Sequence, residues 1–264
     1  MADFTEVAER VWVARYAQFD VNVAVVGGAD GLVVVDTHGT AAAAREVVED
    51  VRALAQALAS PSVRAVVNTH VHFDHTFGNA TFADAFGPNL PIHAHETLPE
   101  DLPDDILAPT HTFSSVRVLD LGDRQIELVH PGRGHSRGDI VISVPDANVL
   151  LAGDLVEESA HPSYGPDSYP LEWPATLDVL HQLIRPDTLI VPGHGAPVDR
   201  DFVEDQRHDL GVIAETIRDL ASRGVPVDQA LEAGAWPWPA ETLGDAVVRG
   251  YEHLPRGTRQ LPLI

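Results

Sequence analysis

The stretch from Asn68 to His75, which reads Asn-Thr-His-Val-His-Phe-Asp-His, constrains the fold of this chain more than any other. The apolar run just before it, residues 63–67, has the composition of a buried strand. The first two histidines are two residues apart, so an extended or tightly turned backbone can direct both side chains to one side. Imidazoles and a carboxylate are together the ligands that suit zinc and neighbouring metals. Such a pattern would arise by chance in about 4 of 1000 chains of this composition, so the sequence predicts a metal site at His70, His72, Asp74 and His75.

Strand-like and helix-like segments occur in both halves of the chain. Short apolar runs bounded by turn residues predict strands at 11–14, 21–26, 32–35, 63–67, 91–94, 116–121, 126–129, 140–144, 149–152 and 189–191. Helical periodicity or helix-ending signals predict helices at 41–59, 76–86, 171–183 and 202–220. Ser60-Pro61 is expected to end the first helix, and 97–109 to be a surface loop or short helix. This order fits two β-sheets packed together with helices outside.

The chain changes character from residue 223 onward. Gly and Pro residues separate short helical segments there, with Trp236 and Trp238 between them. A separate unit of this size would have little core. We therefore predict a main domain at 1–222 and a helical or irregular extension at 223–264 that packs on it.

Composition excludes several classes of chemistry. The chain contains no Cys, which removes disulfides, cysteine nucleophiles and thiolate ligands. All seventeen basic residues are Arg, so lysine-based mechanisms are excluded. The net charge of -23 argues against nucleic acid and anionic membranes as partners. Without a signal peptide pattern or an apolar run long enough to cross a bilayer, we expect a soluble cytoplasmic protein that acts on a small molecule.

Three later segments each place a potential ligand in a turn or after a strand. Gly-Arg-Gly-His-Ser carries His135, and the glycines would let it approach a buried ion closely. Leu-Leu-Ala-Gly-Asp places Asp154 just past an apolar strand, and Val-Pro-Gly-His-Gly does the same for His194. With the first motif, these residues make a candidate set of five His and two Asp.

With these motifs in this order, residues 8–200 resemble metallo-β-lactamase-fold hydrolases. The resemblance implies an α/β fold, a four-layer αβ/βα sandwich with metals at one edge. It implies one metal bound by His70, His72 and His135, a second bound by Asp74, His75 and His194, and Asp154 bridging the two. Asp36 matches a structural acidic residue at the end of an early strand.

The two metals that the resemblance implies are expected to be Zn²⁺, with Fe or Mn as alternatives. Such a pair shares a water, lowers its pKa and polarises a substrate carbonyl. The shared hydroxide would attack that carbonyl, and Asp74 is the candidate catalytic residue that orients it and accepts a proton.

Several members of this family are compatible with parts of the pattern. The β-lactamase subclass that uses a Cys ligand is excluded, and β-lactamases with the His/Asp set lack the bridging carboxylate. The set instead resembles glyoxalase II, lactonases and related thioesterases, which favours an ester, thioester or lactone substrate. A basic glutathione-binding patch would have to use Arg249, Arg256 and Arg259. The alternatives are a β-lactam hydrolase, a mononuclear-iron persulfide dioxygenase, which the complete second ligand set disfavours, and a non-catalytic metal-binding protein.

Substrate-binding candidates lie in two places. Arg133 and Arg137 flank His135 and could hold a substrate carboxylate by bidentate contacts, although surface ion pairs are the alternative. The segment 155–169, with His161 and Tyr164, either shapes a substrate pocket or is a long connection.

Overall fold

The computed structural model describes residues 4–59 and 62–255, which contain twelve strands, eight α-helices and one 3₁₀ turn. The strands are β1 (Thr5–Ala8), β2 (Val11–Tyr16), β3 (Val21–Gly28), β4 (Gly31–Val35), β5 (Val63–Val67), β6 (Ile92–His95), β7 (His111–Phe113), β8 (Val116–Asp120), β9 (Gln125–Val129), β10 (Val141–Val144), β11 (Val149–Glu157) and β12 (Leu189–His194). The helices are α1 (Ala41–Ala57), α2 (Phe73–Thr76), α3 (Asn79–Phe86), α4 (Leu98–Asp101), α5 (Trp173–Leu183), α6 (Arg200–Ser222), α7 (Val227–Ala233) and α8 (Gly244–His253). Ala240–Thr242 form the 3₁₀ turn.

The strands form two β layers that face each other. Hydrogen bonding follows the order β7-β6-β5-β4-β3-β12-β11-β10-β9-β8, with β2 also paired to β3 and β1 to β2. The first half of the sheet runs from β1 to β7 and the second from β8 to β12. In the described ranges they join between β3 and β12, where Val21 pairs with His194. Val35 and Val67 of the first half pack in the same apolar cluster as Ile142 of the second. The two halves therefore enclose a shared core, and the joining strand carries one of the predicted metal ligands.

Helices cover the outer face of each β layer. Val47 of α1 and Phe82 of α3 pack with Val34 of β4, while Trp173 of α5 packs in one cluster with Ile190 of β12 and with α6. This arrangement of layers confirms the predicted αβ/βα sandwich.

The helical C-terminal region is also present. Ala230, Trp238 and Val247, from α7 to α8, belong to the same apolar cluster as Trp173. The division of the chain at residue 222 stays a prediction, and residues 256–264 lie outside the described part. In the described ranges, no helix has the length and hydropathy needed to cross a membrane.

The structure differs from the sequence predictions in two elements that matter for the site. The helix expected at 76–86 is two helices, α2 and α3, and Gly78 lies between them, where a Cβ would overlap the carbonyl oxygen of Thr37. The strand expected at 149–152 continues to Glu157, since the pairing of β11 with β12 shifts register at Gly153, whose φ is 53°. Asp154 therefore lies within a strand and not after one. The short strands β1 and β7 were not predicted.

A buried histidine makes the fold sensitive to acid. Burial, and then the positive charge of Arg117, lower the pKa of His93 from 6.5 to about 4. The unfolded chain therefore binds a proton that the folded protein does not, so this residue's contribution is lost as pH falls from about 6.5 to 4. Between these pH values the wild type should lose more of its free energy of unfolding than His93→Gln does, in a buffer that contains chelator. We expect the difference between the two losses to be about 2–3 kcal/mol. Urea denaturation measures it, and the exposed His208→Gln is the control. Equal pH dependence in all three proteins would contradict this prediction.

Candidate metal centre

The seven predicted ligands come from four separate parts of the fold that meet at one edge of the sandwich. His70 and His72 lie in the turn after β5, and Asp74 and His75 lie in α2, the helix that follows it. His135 lies in the loop between β9 and β10. Asp154 is in β11 and His194 is the last residue of β12. All seven side chains converge.

The first group contains His70, His72, His135 and Asp154, whose ligand atoms lie within 4.8 Å of one another. Nδ1 of His72 lies 3.1 Å from Nε2 of His70 and 2.7 Å from Nε2 of His135. Oδ2 of Asp154 lies 3.4 Å from Nε2 of His135 and 3.6 Å from Nε2 of His70. Three imidazole nitrogens and one carboxylate oxygen therefore face a common point.

The second group contains Asp74, His75 and His194. Oδ2 of Asp74 lies 3.4 Å from Nε2 of His194 and 3.8 Å from Nε2 of His75. Asp154 faces this group as well, because its Oδ1 is 3.3 Å from Nε2 of His75 and its Oδ2 is 3.2 Å from Nε2 of His194. The Asp154 carboxylate thus lies between the two groups.

The side chains at this centre fit divalent cations. Nε2 of His75 and Oδ1 of Asp154 are buried and have no hydrogen-bond partner among the described residues. Buried polar atoms of this kind normally have a partner, and a nitrogen lone pair and a carboxylate oxygen are metal ligands. The mixture of five imidazoles and two carboxylates, without a thiolate, suits zinc, iron or manganese.

Each histidine is oriented by a contact from its other ring nitrogen. A hydrogen bond from that nitrogen fixes the tautomer, so the nitrogen that faces the centre keeps its lone pair. The outer contacts are His70 Nδ1 with Thr69 Oγ1 at 3.0 Å, His72 Nε2 with Asp167 at 3.1 Å, His75 Nδ1 with Asp36 at 2.8 Å, His135 Nδ1 with the Ser163 carbonyl at 3.0 Å, and His194 Nδ1 with the Phe19 carbonyl at 2.9 Å.

Burial and the central carboxylate set the electrostatics. Burial lowers the pKa of His70 well below its usual range and that of His135 to about 4. Burial opposes protonation of His194 too, but its hydrogen bond to Asp154 raises its pKa to about 9. Although burial has the opposite effect, His75 and His70 hold the pKa of Asp154 well below its usual value. Against the effect of burial, the charges of Asp154 and Asp36 also raise the pKa of His75 well above its usual value. Asp154 therefore stays anionic among the imidazoles, and a bound divalent cation would displace the protons that His75 and His194 hold.

Glycines allow the backbone to approach the ligands. A Cβ on Gly193, next to His194, would overlap Oδ1 of Asp154. A Cβ on Gly134 would lie 2.7 Å from Cδ2 of Leu155 and 2.9 Å from Cδ1 of Trp173. Gly134 therefore allows close packing against Leu155 and Trp173, and its expected role in bringing His135 near an ion stays a prediction.

The four predicted substrate-binding residues do not lie together. Arg137 lines a cavity that includes His72, but it also pairs with Asp101 at 2.9 Å. Arg133 makes a bidentate contact with Glu172, at 2.7 and 3.0 Å. His161 stacks on Trp238 with ring centroids 5.0 Å apart, in a different cavity. Tyr164 is buried against Trp173 at 5.2 Å.

Several residues at the centre were missed by sequence reasoning. Asp167 lies in a segment without periodicity, and no motif marks it as the partner of His72. Glu157 was not considered, although its carboxylate lies within 4.8 Å of ligand atoms of Asp154 and His194. Of the basic C-terminal residues, Arg249 lines the cavity beside His72, whereas Arg256 and Arg259 lie outside the described residues.

The contact between Asp167 and His72 leads to a measurable prediction. Loss of an outer partner of a histidine ligand typically weakens metal binding about 10–100-fold. We expect that weakening in Asp167→Ala, and a smaller one in Asp167→Asn, whose amide oxygen can still accept from Nε2. Chelator competition measures the affinity, with the exposed Asp228→Ala as the control. Unchanged affinity in Asp167→Ala would show that His72 needs no such partner.

Comparisons with known proteins agree with this architecture. Residues 16–194 match the family model of the metallo-beta-lactamase superfamily. Metallo-beta-lactamase type 2 from Bacillus cereus is 29% identical over 187 residues, which cover 69% of this chain and 70% of that protein. Acyl-coenzyme A thioesterase MBLAC2 from Homo sapiens is 29% identical over 153 residues, covering 48% and 54%. The structure of a metallo-beta-lactamase from Pontibacter korlensis superimposes with a TM-score of 0.68 at 22% identity, over 80% of this chain and 99% of that one.

Proposed function

Because the chain belongs to the metallo-beta-lactamase superfamily, we propose that it is a zinc-dependent hydrolase that cleaves a small-molecule carboxylic ester, thioester or lactone. The observation that carries this proposal is the position of Asp154. Its two oxygens lie 3.2–3.4 Å from nitrogens of His75, His135 and His194, so it contacts both groups of ligands. A carboxylate that bridges two metal sites is the feature that separates thioesterases and lactonases from dedicated β-lactamases in the resemblance described above.

The proposed cofactor is a pair of divalent cations, with Zn²⁺ favoured. His70, His72 and His135 would hold one, Asp74, His75 and His194 the other, and Asp154 would contact both. When bound, such ions supply Lewis acidity toward a carbonyl oxygen and lower the pKa of a water.

The chain's own residues provide positioning and proton transfer. Asp74 is 8% exposed and its Oδ2 lies 3.4 Å from Nε2 of His194, so a water held against this oxygen would donate a hydrogen bond to it. His70 and His75 are fully buried and exclude solvent from the floor of the site. His72 is partly exposed and lines a cavity, which is the side from which a substrate carbonyl can approach. Asp74 is the proposed catalytic residue.

A β-lactam hydrolase is the second candidate function. The observation that favours it is the similarity to a Bacillus cereus protein named metallo-beta-lactamase type 2, which spans 69% of this chain. The similarity to an acyl-coenzyme A thioesterase spans 48% and supports acyl substrates instead. The dioxygenase and the non-catalytic binder agree less well with the centre, because both groups of ligand side chains are complete.

The test is a substrate panel with zinc-loaded protein. Phenyl and p-nitrophenyl esters, lactones, thioesters and nitrocefin are compared at equal concentration, and the chelator-treated protein is the blank. We expect turnover of esters, thioesters or lactones that exceeds nitrocefin turnover and disappears with chelator. Preference for nitrocefin would favour the lactamase. One iron per chain without zinc, measured by elemental analysis of the purified protein, would favour the dioxygenase, and no turnover of any class would favour the non-catalytic binder.

A further inference from the structure

A cavity of about 720 Å³ opens beside His72, and its walls combine apolar side chains with charged ones. The apolar part of the walls is formed by Val71, Phe73, Phe77, Pro103, Pro166 and Tyr169. Its volume lies within the range of about 300–1,000 Å³ in which proteins hold drug-sized ligands. Since His72 is one of the candidate metal ligands, the cavity is continuous with the metal centre.

The charged side chains around this cavity already have partners. Arg137 pairs with Asp101 at 2.9 Å, Arg249 pairs with Glu252 at 2.6 Å, and Asp167 contacts His72 at 3.1 Å. A carboxylate or phosphate of a substrate would compete with Asp101 and Glu252 for these two guanidinium groups. The walls therefore favour an uncharged group in the cavity.

An aromatic strip extends from this cavity to the surface. Phe19 and Phe73 are each 43% exposed, and their rings meet edge to face with centroids 4.9 Å apart. The Phe77 ring lies 6.0 Å from that of Phe73. Exposed large apolar side chains that touch one another beside a polar centre are typical of a binding surface. Phe73 also lies between His72 and Asp74 in the chain, so this surface is fixed relative to the candidate ligands.

We infer that the cavity and the aromatic strip bind an uncharged alkyl or aryl chain on the acyl side of the substrate. The enzyme would therefore prefer esters, thioesters or lactones with acyl chains of about six carbons or more over acetyl substrates. This inference rests on the proposed hydrolase function for the position of the scissile carbonyl. It adds the substrate class and identifies Phe73 and Phe77 as residues that determine specificity.

The first experiment measures kcat/KM of zinc-loaded protein for p-nitrophenyl esters from acetate to decanoate. Each methylene that leaves water is expected to raise kcat/KM about 2–4-fold, until the cavity is filled. Phe73→Ala should lower the octanoate-to-acetate ratio at least tenfold. Leu183→Ala removes an exposed apolar side chain on α5, and it should leave the ratio unchanged. A flat series, or a preference for the mono-succinate ester, would overturn the inference while leaving the hydrolase proposal intact.

A binding measurement separates failure of the inference from failure of the hydrolase proposal. N-methyloctanamide has the same alkyl chain and no ester to cleave. Calorimetry should show binding with a negative heat-capacity change, weakened at least tenfold by Phe73→Ala and unaltered by Leu183→Ala. If no ester, thioester or lactone is turned over but this binding occurs, the hydrolase proposal fails and the apolar site stands. Absent binding, or equal binding by the Phe73 variant, would overturn the site.

Discussion

His70→Ala is expected to lower kcat/KM at least about 10³-fold on the substrate identified by the panel. His70 is 1% exposed, and its Nε2 lies 3.1 Å from Nδ1 of His72 and 3.6 Å from Oδ2 of Asp154. Removing this imidazole leaves the first group with two nitrogens. Metal ions stabilise a hydrolytic transition state by several kcal/mol, and each 1.36 kcal/mol corresponds to a factor of ten.

The same experiment should separate the two groups of ligands. Asp74→Ala removes a carboxylate from the second group only, so activity is lost while one metal per chain is retained. Elemental analysis and circular dichroism accompany the kinetics, because both variants should keep the fold. His208→Gln, an exposed histidine on α6, is the control. Wild-type turnover in either alanine variant would rule out the proposed mechanism.

The candidate ligands could be named from the sequence because each lies shortly after a recognisable apolar run. The run 63–67 is the strand β5, and the turn after it places His70 and His72 at the sheet edge. His194 is the last residue of β12, which continues three residues beyond the strand predicted at 189–191. Strand ends that meet at one edge bring distant parts of the chain together. Their roles as metal ligands stay predictions.

The surroundings of the centre could not be predicted, because they depend on contacts between distant segments. Asp167 reaches His72 across 95 positions, and the Phe19 carbonyl reaches His194 across 175. The contact between the rings of Phe19 and Phe73 is of the same kind. Loop residues without periodicity carry no signal of such contacts. The extension of β11 was missed for a similar reason, since a register shift at Gly153 depends on the neighbouring strand.

Asp36 shows how far the fold and the candidate site depend on each other. It is 2% exposed and follows β4 with a φ of 66°. Oδ1 accepts a hydrogen bond from the backbone N–H of Thr69 at 2.8 Å. Oδ2 accepts from the Thr69 hydroxyl and from Nδ1 of His75, also at 2.8 Å. One carboxylate thus fixes the start of the metal-binding turn and the orientation of His75.

Asp36→Ala is expected to lower the free energy of unfolding by about 3 kcal/mol or more, because three buried donors lose their acceptor. Urea denaturation with chelator present measures this without any contribution from bound metal. Asp50→Asn is the matched control, since Asp50 is also buried but, within residues 4–59 and 62–255, accepts only from the Tyr16 hydroxyl, at 3.0 Å. An amide oxygen can replace that acceptor, so the control should lose about 1 kcal/mol or less. Equal losses in the two variants would contradict a special role for Asp36.

Asp36→Asn separates stability from metal binding. All three neighbours donate to the carboxylate, whereas an asparagine offers one acceptor oxygen and one NH₂ group. If the NH₂ group faces His75, it donates to Nδ1, and the ring must then carry its proton on Nε2, the atom that faces the centre. If the NH₂ group faces Thr69 instead, the backbone N–H there loses its acceptor. We therefore expect a fold more stable than that of Asp36→Ala but an affinity for the second metal about 10–100-fold weaker than in the wild type. Chelator competition measures the metal affinity of Asp36→Asn. Wild-type affinity for two metals would mean that the Asp36 contact does not control the tautomer of His75.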